Sequence, residues 1–337
     1  MSGIRETVAT MTTPGATRPD EPALSATALG RRFGDRWAVR GVDLTVHRGE
    51  VLGLLGPNGA GKTTTVRMLT ALIRASEGTA VIDGFDVHDQ PDEVRARVGI
   101  LTETPGLYEK LSATANLDFF GRLYELDQVT RATRIEQYLR LFGLWERRDD
   151  MAGTFSKGMK QKLVIARALL HDPSVVFLDE PTAALDPEAA FIVREAIEKL
   201  RRAGRTIVLA THNLDEADRL CDRIAFIRGS LLRVDTPAAL RGDLAPSTLK
   251  IRLAAGPTDV QLAAVRTMAE VTAVRAADGL LRVEAADPEA IAPDVVRALV
   301  ATGADIVELR PERVPLEQIY FEVMGVQPGA DGIADVA

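Results

Sequence analysis

Gly56-Pro57-Asn58-Gly59-Ala60-Gly61-Lys62-Thr63-Thr64 follows the apolar run Val51-Leu52-Gly53-Leu54-Leu55 and leads into Thr65-Val66-Arg67-Met68-Leu69. The order is strand, glycine loop, helix, and the spacing G-x-x-x-x-G-K-[ST] in that context is the pattern of a phosphate-binding P-loop. Gly56, Gly59 and Gly61 let the backbone curl until consecutive N–H groups face inward as an anion nest. The helix that starts there adds its own free N–H groups and its dipole. Lys62 is placed to reach the β- and γ-phosphates of a nucleoside triphosphate, and the Thr63 hydroxyl to bind Mg2+. A loop that merely turns the chain would not need glycines, Lys, Thr, strand and helix to agree.

Further along, Val175-Val176-Phe177-Leu178 ends in Asp179-Glu180 and is stopped by Pro181. A continuous apolar run with β-branched residues reads as a buried central strand. Two carboxylates at its end cost too much to be packing, and in open α/β sheets that edge is where ligands bind. Asp179 fits the acid that holds Mg2+, directly or through water, opposite Thr63, while Glu180 is positioned to take a proton from an attacking water. Arg205–Thr211 is another apolar strand, and His212 ends it at the same presumed edge. His47, His88 and His171 have no such placement and read as surface residues. Ser156, in Phe155-Ser156-Lys157-Gly158-Met159, sits as the N-cap of a helix read over Lys162–Leu170, and such a helix start also suits an anion. Phe33, beside Gly34, reads either as packing or as a ring that stacks on a purine face, with Trp37 a rival for the stacking role.

The composition, 46% apolar and 26% charged over 337 residues, is ordinary for a soluble protein with one large and one smaller domain. A net charge of −7 gives no support for a nucleic-acid partner. The single cysteine, Cys221, excludes an internal disulfide, fits a reducing compartment and lies in an apolar-periodic segment that predicts burial. No run approaches the roughly 18 apolar residues of a membrane span, and residues 1–22 lack a signal-peptide core and read as a disordered tail. These features predict a cytoplasmic protein whose membrane involvement comes through a partner. The expected layout is an α/β nucleotide-binding domain over 23–242 with a helical insertion at about 104–160, then an α+β domain over 246–325 and a tail over 326–337. In the insertion, Leu117, Phe120, Leu123, Tyr124, Ile135, Tyr138, Leu139 and Phe142 recur at helical spacing, with breaks expected at Gly121, Asp127 and Gly143. The later domain reads as βαββαβ, a split-βαβ, ferredoxin-like unit with an expected regulatory or dimer-forming role, followed by an amphipathic helix carrying Leu316, Ile319, Tyr320 and Val323 on one face.

Over residues 24–240 these motifs resemble the nucleotide-binding subunits of ABC transporters, a class of P-loop NTPases. Gly56–Thr63 matches Walker A, Val175–Glu180 matches Walker B with its catalytic glutamate, and Phe155–Met159 is similar to the signature. Ala184-Leu185-Asp186 resembles the D-loop, His212 the switch histidine and Phe33 the adenine-stacking aromatic. Two departures stand out. Glu103 replaces the usual Gln of the Q-loop but still offers an oxygen to Mg2+ or water. Lys157 and Met159 replace Gly and Gln of the signature, while Ser156 and Gly158 remain, which leaves open contact with a γ-phosphate across a dimer, with Lys157 able to assist it. Glu103 and this signature resemble the ABC-2 branch, and the C-terminal domain resembles the daunorubicin-resistance ATP-binding proteins. The resemblance implies ATP and Mg2+ as cofactors, and two subunits, expected as a homodimer, with each ATP between one Walker A and the other signature. It implies that Glu180 activates water and that His212 holds the γ-phosphate. It also implies a separate ABC-2 permease touching the helical insertion and the Pro105–Tyr108 loop, export of a drug, antibiotic or lipid-like molecule, and a place on the inner face of the cell membrane. The rival readings are a soluble ABC ATPase acting on ribosomes or nucleic acid, an importer ATPase, and a scaffold that binds nucleotide without turning it over. The first of these would be expected to carry two nucleotide domains or long coiled-coil arms, and neither is seen.

Overall fold

The computed structural model describes residues 21–102, 106–183, 185–242, 248–277, 279–285, 287–312 and 314–325. Glu103, Ala184 and nearly all of both expected tails lie outside them. Strands β1 (Leu24–Phe33) and β2 (Arg36–Val46) form an antiparallel hairpin. Arg31, Arg32 and Phe33 of β1 are paired with Val39, Trp37 and Arg36 of β2. The chain reverses at Gly34, whose φ of +56° suits a residue without a Cβ.

Next come β3 (Val51–Leu55), α1 (Lys62–Leu69), β4 (Glu77–Ile82), β5 (Phe85–Asp86), α2 (Pro91–Arg97) and β6 (Val98–Leu101). Helices α3 (Ala113–Leu123), α4 (Gln128–Leu141) and α5 (Lys157–Leu169) precede β7 (Val175–Asp179) and α6 (Pro187–Arg202). The first unit, which runs to Asp235, closes with β8 (Thr206–Thr211), α7 (Leu214–Leu220), β9 (Arg223–Ile227) and β10 (Leu231–Asp235). One sheet has the order β2-β1-β4-β5; the other has the order β10-β9-β3-β8-β7-β6 and is parallel from β9 to β6. Every residue of β3, β7 and β8 is buried, which is why these strands read as unbroken apolar runs. Helix α1 packs against β1, β2 and β4 of the first sheet and against β7 and β8 of the second. Its Val66, Met68 and Leu69 join their common core. The loops after β3, β7 and β8 therefore leave one parallel sheet at its carboxyl edge.

In the helical insertion the chain breaks between α3 and α4, where Glu125 has a φ of +57° and the Asp127 carboxylate accepts from the N–H groups of Val129 and Thr130. Gly121 does not break α3, contrary to expectation. A Cβ there would lie 2.6 Å from the Arg131 side chain, so the glycine serves close packing of α4. Gly143, at φ +67°, follows α4 as expected. Helix α5 starts at Lys157 with Ser156 as its N-cap, as expected, the Ser156 hydroxyl accepting from Met159 N–H; the helix thus includes residues 157–161 ahead of the stretch read over Lys162–Leu170.

The second unit begins at Thr236. It contains α8 (Pro237–Gly242), β11 (Thr248–Leu253), α9 (Asp259–Arg266), β12 (Val271–Ala277), β13 (Leu280–Ala285), α10 (Pro288–Ala301), β14 (Ile306–Glu312) and α11 (Leu316–Met324). Its sheet is antiparallel in the order β12-β13-β11-β14, the order that a split βαβ unit generates. Leu249, Ile251, Leu281 and Val283 face Val265, Val295 and Leu299 in its core. Helix α11 packs against α8 and buries Leu316, Ile319 and Met324, while Tyr320 and Val323 are half-buried.

Candidate active site

At the carboxyl edge of the parallel sheet lies a cavity of about 310 Å³, lined by Pro57 through Thr64 together with Ala38 and Glu180. Two glycines shape its floor by steric necessity. A Cβ on Gly56 would sit 2.3 Å from the Ile227 carbonyl oxygen, and one on Gly61 would sit 2.9 Å from that of Ala38. Gly61 also has a φ of +101° and is the N-cap of α1, so no side chain caps that helix and no acid occupies its first turn. The leading N–H groups of α1 are thus left for an anion.

The Lys62 side chain is buried and curls back over the loop. Its Nζ donates to the carbonyls of Gly56 at 2.7 Å and Pro57 at 3.2 Å and lies 3.5 Å from Glu180 Oε1. Asp179, the last residue of β7, is only 2% exposed. Glu180 follows it with a φ of +51°, a sparsely populated region for a residue with a side chain. Its N–H donates to the Ala210 carbonyl at 2.8 Å, which pins this conformation to β8. His212, just past β8, places Nδ1 2.9 Å from both Glu180 oxygens, so a proton on Nδ1 is donated to the carboxylate. The structure thus brings the P-loop, Lys62, Glu180 and His212 together, with Asp179 directly behind Glu180. A cation, a carboxylate base and an oriented imidazole at the mouth of an anion nest form an arrangement suited to attack by water on a bound phosphate.

Residues 39–183 match the family model described as ABC transporter. The chain is 45% identical over 60% of its length to the ABC transporter ATP-binding protein NatA of Bacillus subtilis, covering 85% of that protein. It is 33% identical over 90% of its length to the daunorubicin resistance ATP-binding protein DrrA3 of Streptomyces coeruleorubidus, covering 96% of it. An ATP-binding cassette solved as a dimer in a post-hydrolysis state with ADP and Pi superposes with a TM-score of 0.58 at 25% identity, over 63% of this chain and 98% of that one. The chain belongs to the ABC transporter family.

As an ABC ATPase it binds ATP, and the cavity is where its P-loop lies. The other sequence-predicted residues of this ABC subunit stand apart from that lining. Ser156 caps α5, and Gly158 packs so tightly on α6 that a Cβ would be 2.5 Å from that of Ala189. Lys157 is exposed beside them. Asp186 caps α6, its Oδ1 accepting from Ala189 N–H at 2.8 Å. Gln161 ties α5 to the loop after Glu180 by donating to the Pro181 carbonyl at 2.9 Å. Phe33 is 51% exposed, with the Arg31 guanidinium 4.8 Å from its ring centre. Trp37 is half-buried between the guanidinium groups of Arg32 and Arg40.

His171 corrects the surface reading. It is half-buried, stacks on Tyr124 with ring centres 3.8 Å apart, and shares a 3.1 Å hydrogen bond with the Val98 carbonyl through Nε2. Cys221 is buried as expected, and burial pushes its thiol up, out of the reactive range. Sequence reading missed Glu216, a carboxylate 1% exposed in the first turn of α7. Its position three residues after the Asn213 N-cap is the signal for a capping box, which explains a carboxylate there without revealing where it points.

Proposed function

We propose that this ABC ATPase energises a separate membrane permease of the ABC-2 type that exports a drug, antibiotic or lipid-like molecule. The observation that carries the proposal is the meeting of Glu180, Lys62 and His212 at the P-loop cavity. The resistance function in the names of relatives such as the daunorubicin protein supports the export direction. Lys62 has three N–H donors, and the one nearest Glu180 is free to turn to a γ-phosphate when ATP enters. Glu180, released from that cation and still oriented by His212, then accepts the proton of the attacking water.

The donors present suit Mg2+. Thr63 Oγ1 and the Asp179 carboxylate are hard oxygens, and Mg2+ in phosphate sites takes one or two protein oxygens beside phosphates and waters. A bound Mg2+ would neutralise phosphate charge there. Glu103 is a third candidate ligand in the sequence, and Phe33 the candidate adenine platform. Ser156, Lys157 and Gly158 stand outside the cavity lining, which supports a second subunit as their target, with Asp186 near that junction. We assign residues 246–325 to regulation or dimerisation. Among the described residues no helix is long and apolar enough to cross a membrane; the proposed place of the subunit is the inner face of the cell membrane, held by its permease.

The test is to extract membranes in mild detergent, capture the tagged chain and identify its companions. A stoichiometric permease with several spans is the expected result. Capture of ribosomes, or of no membrane protein, would overturn the transporter assignment and favour the soluble alternative.

A further inference from the structure

The carboxylate of Glu216 is turned away from its own helix. The Asn213 N–H donates instead to Thr211 Oγ1 at 3.0 Å, so the capping-box partner that Glu216 could have bonded is already taken. The Asn213 side chain accepts from Glu216 N–H at 3.1 Å, which anchors the backbone and leaves the carboxylate to reach inward. There Oε1 accepts from the Thr182 hydroxyl at 2.9 Å. The second oxygen, Oε2, is buried with no hydrogen-bond partner among the described residues. A buried, incompletely satisfied carboxylate is costly, and helix capping does not require it, because Asn213 already caps α7.

The position of its partners gives the carboxylate a purpose. Thr182 lies two residues after Glu180, in the loop that leads to Asp186. Thr211, which ends β8 immediately before His212, is joined to Glu216 through Asn213. We propose that Glu216 is a positioning residue that ties the loop after β7 to the loop after β8, holding His212 in register with Glu180. Without the tie, the strained Glu180 backbone and the exposed His212 ring keep their own contact, the Ala210 bond and the Lys62 and Gln161 contacts, but lose the link from the loop after β7 to α7. Burial lifts the Glu216 carboxyl above its ordinary range, with the Thr182 and Thr211 hydroxyls and Arg194 pulling it down and Glu180 adding repulsion. A group in that balance accepts replacement by a neutral amide of the same shape.

This inference rests on the reading of Glu180 as the base, and its test separates the two. Steady-state ATP hydrolysis is measured for the full chain and for Glu216→Gln, Glu216→Ala, Thr182→Val and the Glu216→Ala/Thr182→Val double variant, with ATP binding followed separately. Glu216→Ala should lower kcat by about 10- to 100-fold, the cost of a misplaced catalytic group, with KM for ATP within about twofold because the tie lies outside the P-loop. Thr182→Val should lower kcat in the same way, the double variant should be no worse than the worse single one, and Glu216→Gln should restore most of the rate. Unchanged kcat in both single variants, additive losses, or equal losses for Gln and Ala would overturn the positioning role. Absence of wild-type turnover would overturn the Glu180 reading and this inference together.

Discussion

At the scale of single residues, a ring such as that of His171 is set by what surrounds it. Burial lowers its pKa from 6.5 to about 4, and its Nδ1 is buried without a hydrogen-bond partner among the described residues. Below about pH 6.5 the unfolded chain gains a proton that the folded protein refuses until about pH 4, so stability falls as pH falls through that window. The loss is on the order of 1–2 kcal/mol by about pH 5. His171→Phe keeps a ring against Tyr124 and removes the titration, so urea unfolding at about pH 7.5 and about pH 5 should show a smaller drop in the variant by that amount. An equal drop in both proteins would contradict the assignment. The site residues divided by the same logic. Gly56 to Thr63, Asp179, Glu180 and His212 were legible because each motif is a contiguous string at a strand end. Glu216 and His171 were not, because Thr182 and Tyr124, which they contact, come from other segments of the chain.

At the scale of elements, Asn116 shows how a loop can be held by one buried amide. It is fully buried on α3; its Oδ1 accepts from Tyr108 N–H at 2.9 Å, and its Nδ2 donates to the carbonyls of Tyr108 at 3.0 Å, Leu111 at 3.2 Å and Ser112 at 3.0 Å. Asn116→Ala leaves those buried groups unmatched and should cost about 1–3 kcal/mol, read as a lowered denaturant midpoint, with ATP binding unchanged because Asn116 does not line the cavity. A shift below about 0.5 kcal/mol, the range of an ordinary surface change, would contradict the clamp. The apolar runs of β3, β7 and β8 announced themselves because both faces are covered. The break that sequence misplaced depends on a contact instead: α4 packing turns Gly121 from a breaker into a close-packed residue inside α3.

For the whole molecule, a two-sheet unit ending at Asp235 carries the nucleotide site and a four-stranded α+β unit follows it. The order of motifs along the chain identified the first unit, and the alternation of strands and helices outlined the second. The cavity lining contains the P-loop and Glu180 but no signature residue, so the proposed working unit is larger than one chain. The central claim is that this chain turns ATP over with Glu180 as the base. The measurement that tests it most directly is the rate of ATP hydrolysis by the full chain and by Glu180→Gln, with both first shown to bind ATP. With Glu180 as the base, the variant should bind ATP as the wild type does and its turnover should fall by about 10²-fold or more, the worth of a general base. Wild-type turnover no greater than that of the variant would contradict it.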